Sequence, residues 1–276
     1  MFISMFYVAL LLSMCTVIAL ELHEVKMVVS SEWNKLQKQC HLGKATIEVQ
    51  LDPELAGTTT LAWARHARVL QNGVWWPSVL TDYDSPPDIS IGINPTKLWA
   101  TECHQLGQQL RMVVLHEMLH GLGISSSIRA SGRAGFHFGG KCFPTLFDTK
   151  IQNDRGETTV LNCEVDIQQD LYVNNVKLYH PTPFSSGSSL SHHATKGGIM
   201  APWPPSQCVP LSEQDIKLLA AVGIVCDKIH NNIPYTNYTI KQKNYTDQSY
   251  TSSSFEIQPQ SLSTAVAVLA VLQLCC

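Results

Sequence analysis

Residues His116-Glu117-Met118-Leu119-His120, closed by Gly121-Leu122-Gly123, constrain this chain more than any other stretch. Leu110, Val113, Val114 and Leu115 run up to the first histidine, so the pattern predicts a helix over 104–122 that the two glycines end. On a helix, positions four apart share a face, and both imidazoles then reach one point in space. Paired imidazoles at this spacing suit a zinc ion, which takes three protein ligands at a catalytic site and leaves a position for water. Glu117 stands beside the first ligand and would reach that water rather than the ion.

A third ligand must come from elsewhere in the chain. The segment Gly187-Ser188-Ser189-Leu190-Ser191-His192-His193 offers His192 or its neighbour His193, and Met200 follows in Gly198-Ile199-Met200-Ala201-Pro202-Trp203. These motifs resemble the metzincin zinc proteases. In the common metzincin pattern another histidine stands three residues after the glycine of HExxHxxG, and here that position is Ser126. The chain is most similar to the leishmanolysin-like branch, in which an insertion precedes the third histidine, a GSSxSH stretch carries it and a Met-Ala-Pro turn follows. The resemblance covers about 104–226.

The resemblance implies an α+β fold: a metzincin-like zinc protease domain with an active-site helix and a small mixed sheet. It implies one zinc ion on His116, His120 and His192, Glu117 as the catalytic base and Met200 as the Met-turn residue. It also implies that Pro202 and Trp203 wall the substrate pocket. The expected activity is endopeptidase cleavage of a protein or peptide substrate. An extended peptide would lie along an edge strand, for which Ile89–Ile93 is the candidate. The alternative is a surface binding or adhesion module that keeps the metalloprotease fold without catalysis. The intact Glu117 argues against it.

Around the motif, 45–51 and 87–94 alternate apolar and polar residues and read as strands. Residues 59–70 suit a helix or a strand. Within 124–190, rich in Ser, Gly, Asp and Asn, strands are expected at 158–165 and 170–180. Residues 212–222 read as a helix with Ser212 as N-cap and Gly223 as stop. Phe147-Asp148 and Asp154 read as solvated turn residues. His23, His41, His66, His104, His137, His180 and His230 lack ligand spacing and read as surface or core histidines.

Both ends carry export signals. Residues 1–20 read as a signal peptide, and 21–228 as the metalloprotease domain. Residues 229–254 form a polar stretch with sequons at Asn237 and Asn244, read as a glycosylated stalk. Residues 255–276 form a hydrophobic tail, which fits a signal for a C-terminal lipid (GPI) anchor and hence attachment to a membrane. Nine cysteines are present. Setting aside Cys15, Cys275 and Cys276 at the ends leaves Cys40, Cys103, Cys142, Cys163, Cys208 and Cys226, an even set that suggests disulfides in an oxidising compartment. The expected location is extracellular, secreted or on the cell surface. With 19 basic and 22 acidic residues and no basic cluster, the charge gives no support for a nucleic-acid partner.

Overall fold

The computed structural model describes residues 22–83, 87–97, 99–100, 108–131, 134–137, 143–158, 164–185, 188–203, 205 and 207–227. The expected signal peptide, stalk and tail lie outside the described residues, as do Cys103, Cys142, Cys163, Asn237 and Asn244.

The chain opens with a helix over 22–39, α1. Val25, Val29, Trp33 and Leu36 fall at three- and four-residue spacing and bury one face. Buried among them is Glu32, whose carboxylate takes Arg111 Nη2 at 2.7 Å and Lys35 Nζ at 2.9 Å. A disulfide joins Cys40, at the end of α1, to Cys226. Cys208 is also disulfide-bonded, and its partner lies outside the described residues.

Five strands follow: β1 (Ile47–Leu51), β2 (Ala62–His66), β3 (Arg68–Gln71), β4 (Val74–Pro77) and β5 (Ile89–Ile93). The main sheet has the order β1-β5-β2, with β1 parallel and β2 antiparallel to β5. Strand β5 is therefore central, not the edge strand expected from the sequence. Ile89, Ile91 and Ile93 are fully buried, and Gly92 leaves room for the Trp63 indole, which a Cβ there would strike. Such a run packs with neighbours on both sides. The edges are β1 and β2, whose residues are partly covered or exposed. The ambiguous 59–70 stretch is thus two strands, and β3 pairs with β4 through Asn72 and Gly73, both at positive φ.

Two short strands, β6 (Trp99–Ala100) and β7 (Gln108–Gln109), pair in parallel just before the central helix α2 (Leu110–Gly121). The helix therefore starts at Leu110, later than the sequence pattern predicts. Gln109 is extended and its side chain caps nothing, because strand pairing takes its backbone. Of α2's residues only Arg111 and His120 are not buried. It is a core helix, apolar all round rather than striped. Its last residue touches the sheet: a Cβ on Gly121 would lie 2.5 Å from Ile89 Cγ2.

Beyond α2 the strands are short: β8 (Ile128–Ser131), β9 (Ala134–His137), β10 (Gln152–Asn153), β11 (Glu164–Asp166), β12 (Leu171–Val173) and β13 (Val176–Lys177). They form two three-stranded sheets, β11-β9-β8 and β10-β12-β13. Asp148 is not a solvated turn residue. It is fully buried, and its Oδ2 accepts from Ser127 N, Ser127 Oγ and Thr145 N. Phe147 beside it is fully buried as well, whereas Asp154 is exposed. The last element is α3 (Glu213–Ala221), which opens on the expected Ser212 cap: Ser212 Oγ accepts from Asp215 N, and Asp215 accepts from Ser212 N. The described residues belong to one compact unit, Ala19–Asn231, of α+β class. Among them no helix is long and apolar enough to cross a membrane.

Candidate metal centre

The helix α2 ends in a turn that shapes the site. Gly123 has φ +106°, and a Cβ there would lie 2.5 Å from Pro77 Cγ, so only glycine fits. The turn brings Ile124 N back to Leu119 O at 3.2 Å. It also places the Ile124 carbonyl 2.6 Å from His120 Nδ1, which donates to it.

The other two histidines are held the same way. His116 Nδ1 donates to Ile199 O at 2.6 Å, and His192 Nδ1 donates to Ser188 O at 2.6 Å. In each ring the proton sits on Nδ1, and Nε2 carries the lone pair. These three Nε2 atoms converge: His192 Nε2 lies 3.1 Å from His116 Nε2 and 3.2 Å from His120 Nε2. The ring centroids stand 4.7–4.9 Å apart.

Burial holds all three rings neutral. It lowers His116 and His120 below the ordinary histidine value and lowers His192 to about 3. Neighbouring histidines push His120 and His192 down further. Three lone pairs, two on buried rings and one on the partly buried His120, therefore face one another with no proton between them, an arrangement that repels unless a cation sits among them. Tetrahedral ligands at the zinc–nitrogen distance are about 3.3–3.4 Å apart, close to the spacings here. The group His116, His120 and His192 could hold a metal ion, and its chemistry fits.

Of the two candidates for third ligand, the structure brings His192 to the cluster. His193 turns away, with Nε2 3.2 Å from Asp215 Oδ1. Glu117, next to His116 on α2, is buried at 6% exposure, and burial raises its carboxyl to about 8. Met200 is fully buried under the turn at 198–201, where its carbonyl accepts from His193 N at 3.0 Å. Pro202 is partly covered and Trp203 is 68% exposed. The Trp203 ring stands edge-on to Tyr179, centroids 5.7 Å apart, and Tyr179 N donates to His192 O at 2.8 Å.

Sequence reasoning missed two neighbours of the site. His66, at the end of β2, lies close to the His120 backbone, and burial and Arg68 lower its own pKa to about 3. Asp215 of α3 reaches the turn beneath His116. Neither has a motif spacing that would have singled it out. Comparison with models of protein families, with curated proteins and with solved structures finds no match.

Proposed function

We propose that this protein is a secreted or surface-anchored zinc endopeptidase of metzincin type, similar to the leishmanolysin-like branch. One observation carries the reading: three Nε2 lone pairs, each set by an Nδ1–H bond to a backbone carbonyl, converge 3.1–3.2 Å apart between His192 and its two partners, and the residue after the first of them is a buried glutamate.

When bound, a zinc ion would polarise the scissile carbonyl and lower the pKa of a water toward about 7. Glu117 is the group that takes the proton from the attacking water and returns it to the leaving amine. Its carboxyl, raised by burial, is a stronger base than an exposed glutamate, and a cation at the imidazoles would draw it back toward the working pH. The low exposure of His116, Glu117 and His192 keeps bulk water from screening these charges.

The substrate is a peptide in extended form. Strand β2 is one edge of the main sheet and its last residue, His66, lies close to the His120 backbone, so a strand added to β2 would pass the metal ligands. Trp203 and Pro202 stand three and two residues past Met200 and form a wall for one substrate side chain. The disulfides agree with an oxidising compartment. Attachment through a C-terminal lipid anchor is part of the same proposal and rests on the sequence pattern at 255–276.

The test is cleavage of a mixed peptide library by the zinc-loaded full chain, read by mass spectrometry. Cleavage that a chelator abolishes and zinc restores is expected. A folded, zinc-loaded protein that cuts no peptide would contradict the reading and point to a binding module.

A further inference from the structure

Behind the three imidazoles lies a second polar cluster, sealed from solvent and not itself part of the ligand set. Asp215, His193 and Met200 all have zero exposure. The Asp215 carboxylate accepts five hydrogen bonds. Oδ1 takes Met200 N at 2.8 Å and His193 Nε2 at 3.2 Å. Oδ2 takes Ile199 N at 3.0 Å, Ser212 N at 2.7 Å and Ser212 Oγ at 2.6 Å. Every partner is a donor, which suits an ionised carboxylate. Burial works against that charge, and the bonds from His193, Ser212 and Met200 outweigh it, holding Asp215 below the usual carboxylate range.

The geometry continues to the ligands in two directions. Ile199, whose N–H is held by Asp215, offers its carbonyl to His116 Nδ1. His193, whose ring is held by Asp215, is the next residue after His192, and its own N–H bonds Met200 O. One carboxylate thus fixes the carbonyl that orients the first ligand and the residue adjoining the third. The space is close: a Cβ on Gly198 would meet His193 Nε2 and would lie 2.8 Å from Ser212 Oγ. Among the described residues His193 Nδ1 has no hydrogen-bond partner, so its ring is oriented through Nε2.

We propose that Asp215 and His193 are positioning residues of the metal centre, joining α3 to the turn at 198–200 so that His116 and His192 present Nε2 to the same ion. The proposal rests on the reading of the three imidazoles as a metal centre. Partners that orient metal-binding histidines typically change metal affinity by about 10–100-fold when removed.

The experiment titrates the full metal-free chain with Co2+ alone, reading affinity by chelator competition and coordination by the visible bands of the bound ion. The variants are Asp215→Asn, His193→Leu and His193→Gln, with exposed Glu213→Ala on α3 as control. Asparagine cannot accept at both positions, because its amide nitrogen faces donors whichever way it turns. Leucine removes the His193 bond, whereas glutamine keeps an N–H near the place of Nε2. Thermal melts of the metal-free proteins identify the variants that fold, and His193→Leu against His193→Gln decides the matter if Asp215→Asn does not. The expected result is one Co2+ per wild-type chain, about tenfold or greater loss with altered bands in Asp215→Asn and His193→Leu, and near wild-type binding in His193→Gln and Glu213→Ala. Unchanged affinity and bands in folded His193→Leu would overturn the positioning role and leave the metal centre standing. Equal losses in His193→Leu and His193→Gln would overturn it too, since the hydrogen bond would then not matter. Failure of the wild type to bind Co2+ would remove the metal centre itself.

Discussion

His116 Nδ1 donates to the carbonyl of Ile199 at 2.6 Å, across 83 residues of chain. The first histidine of the candidate metal centre is therefore oriented by the turn that contains Met200. The histidine and the turn come from separate motifs.

The three imidazoles form one binding unit, so His192→Ala is expected to weaken zinc binding by well over the 10–100-fold typical of orienting partners. Competition with a chromophoric chelator measures this. An affinity within a factor of three of wild type would mean that His192 is not a ligand.

The metal-free protein should lose stability as pH falls from about 6.5 to 5, because four lowered histidines outweigh the opposite effect of Glu117, whose carboxyl is raised. His66 and His192 are lowered to about 3 in the folded chain, and His116 and His120 are lowered too. An unfolded histidine titrates near 6.5, so below that pH the unfolded state binds more protons and is favoured. Asp215, also lowered, acts in the same direction at still lower pH, as protonation removes its stabilising charge. Urea midpoints at several pH values check this. A flat profile over that range would contradict the burial of neutral imidazoles.

Gly123→Ala should destabilise the fold by about 1–3 kcal/mol, the range for a strained backbone. The cause is the φ of +106° and the contact with Pro77. The same change should misplace the Ile124 carbonyl and weaken metal binding through His120. Urea unfolding measures the first effect and chelator competition the second.

Replacing Cys40 and Cys226 together by alanine should cost roughly 2–5 kcal/mol, since their bond closes a loop spanning 186 residues. Both sulfurs are buried in the core, so the bond should resist mild reductant in the folded chain. Unfolding with and without reductant tests both points.

Much of this was readable in the sequence because the signals were local. The apolar run into His116, the alternation at 47–51 and 89–93, and the Ser212 cap each carry their own periodicity or turn chemistry. The helix α1 carries the same periodicity at Val25, Val29, Trp33 and Leu36, but it follows directly on the apolar stretch at 2–20, which blurs its start in the sequence. The central place of β5 could not be read, since strand order depends on pairing across the chain. The strands after α2 span two to four residues, too few to show a period. The carbonyls of Ile124, Ser188 and Ile199 that orient the three imidazoles leave no mark in the sequence, because any residue has a carbonyl. Asp215 read only as a first-turn acid of α3, and its contacts with Ile199 and Met200 are tertiary.

The central claim is that Glu117 drives peptide cleavage at a zinc centre. The most direct measurement compares the wild type with Glu117→Gln, both zinc-loaded to the same stoichiometry, on one cleavable peptide from the library. The variant keeps the three imidazoles and the shape of the side chain but has no base. The account predicts equal zinc content and a fall in kcat of about 100-fold or more. Equal rates in the two proteins would contradict it.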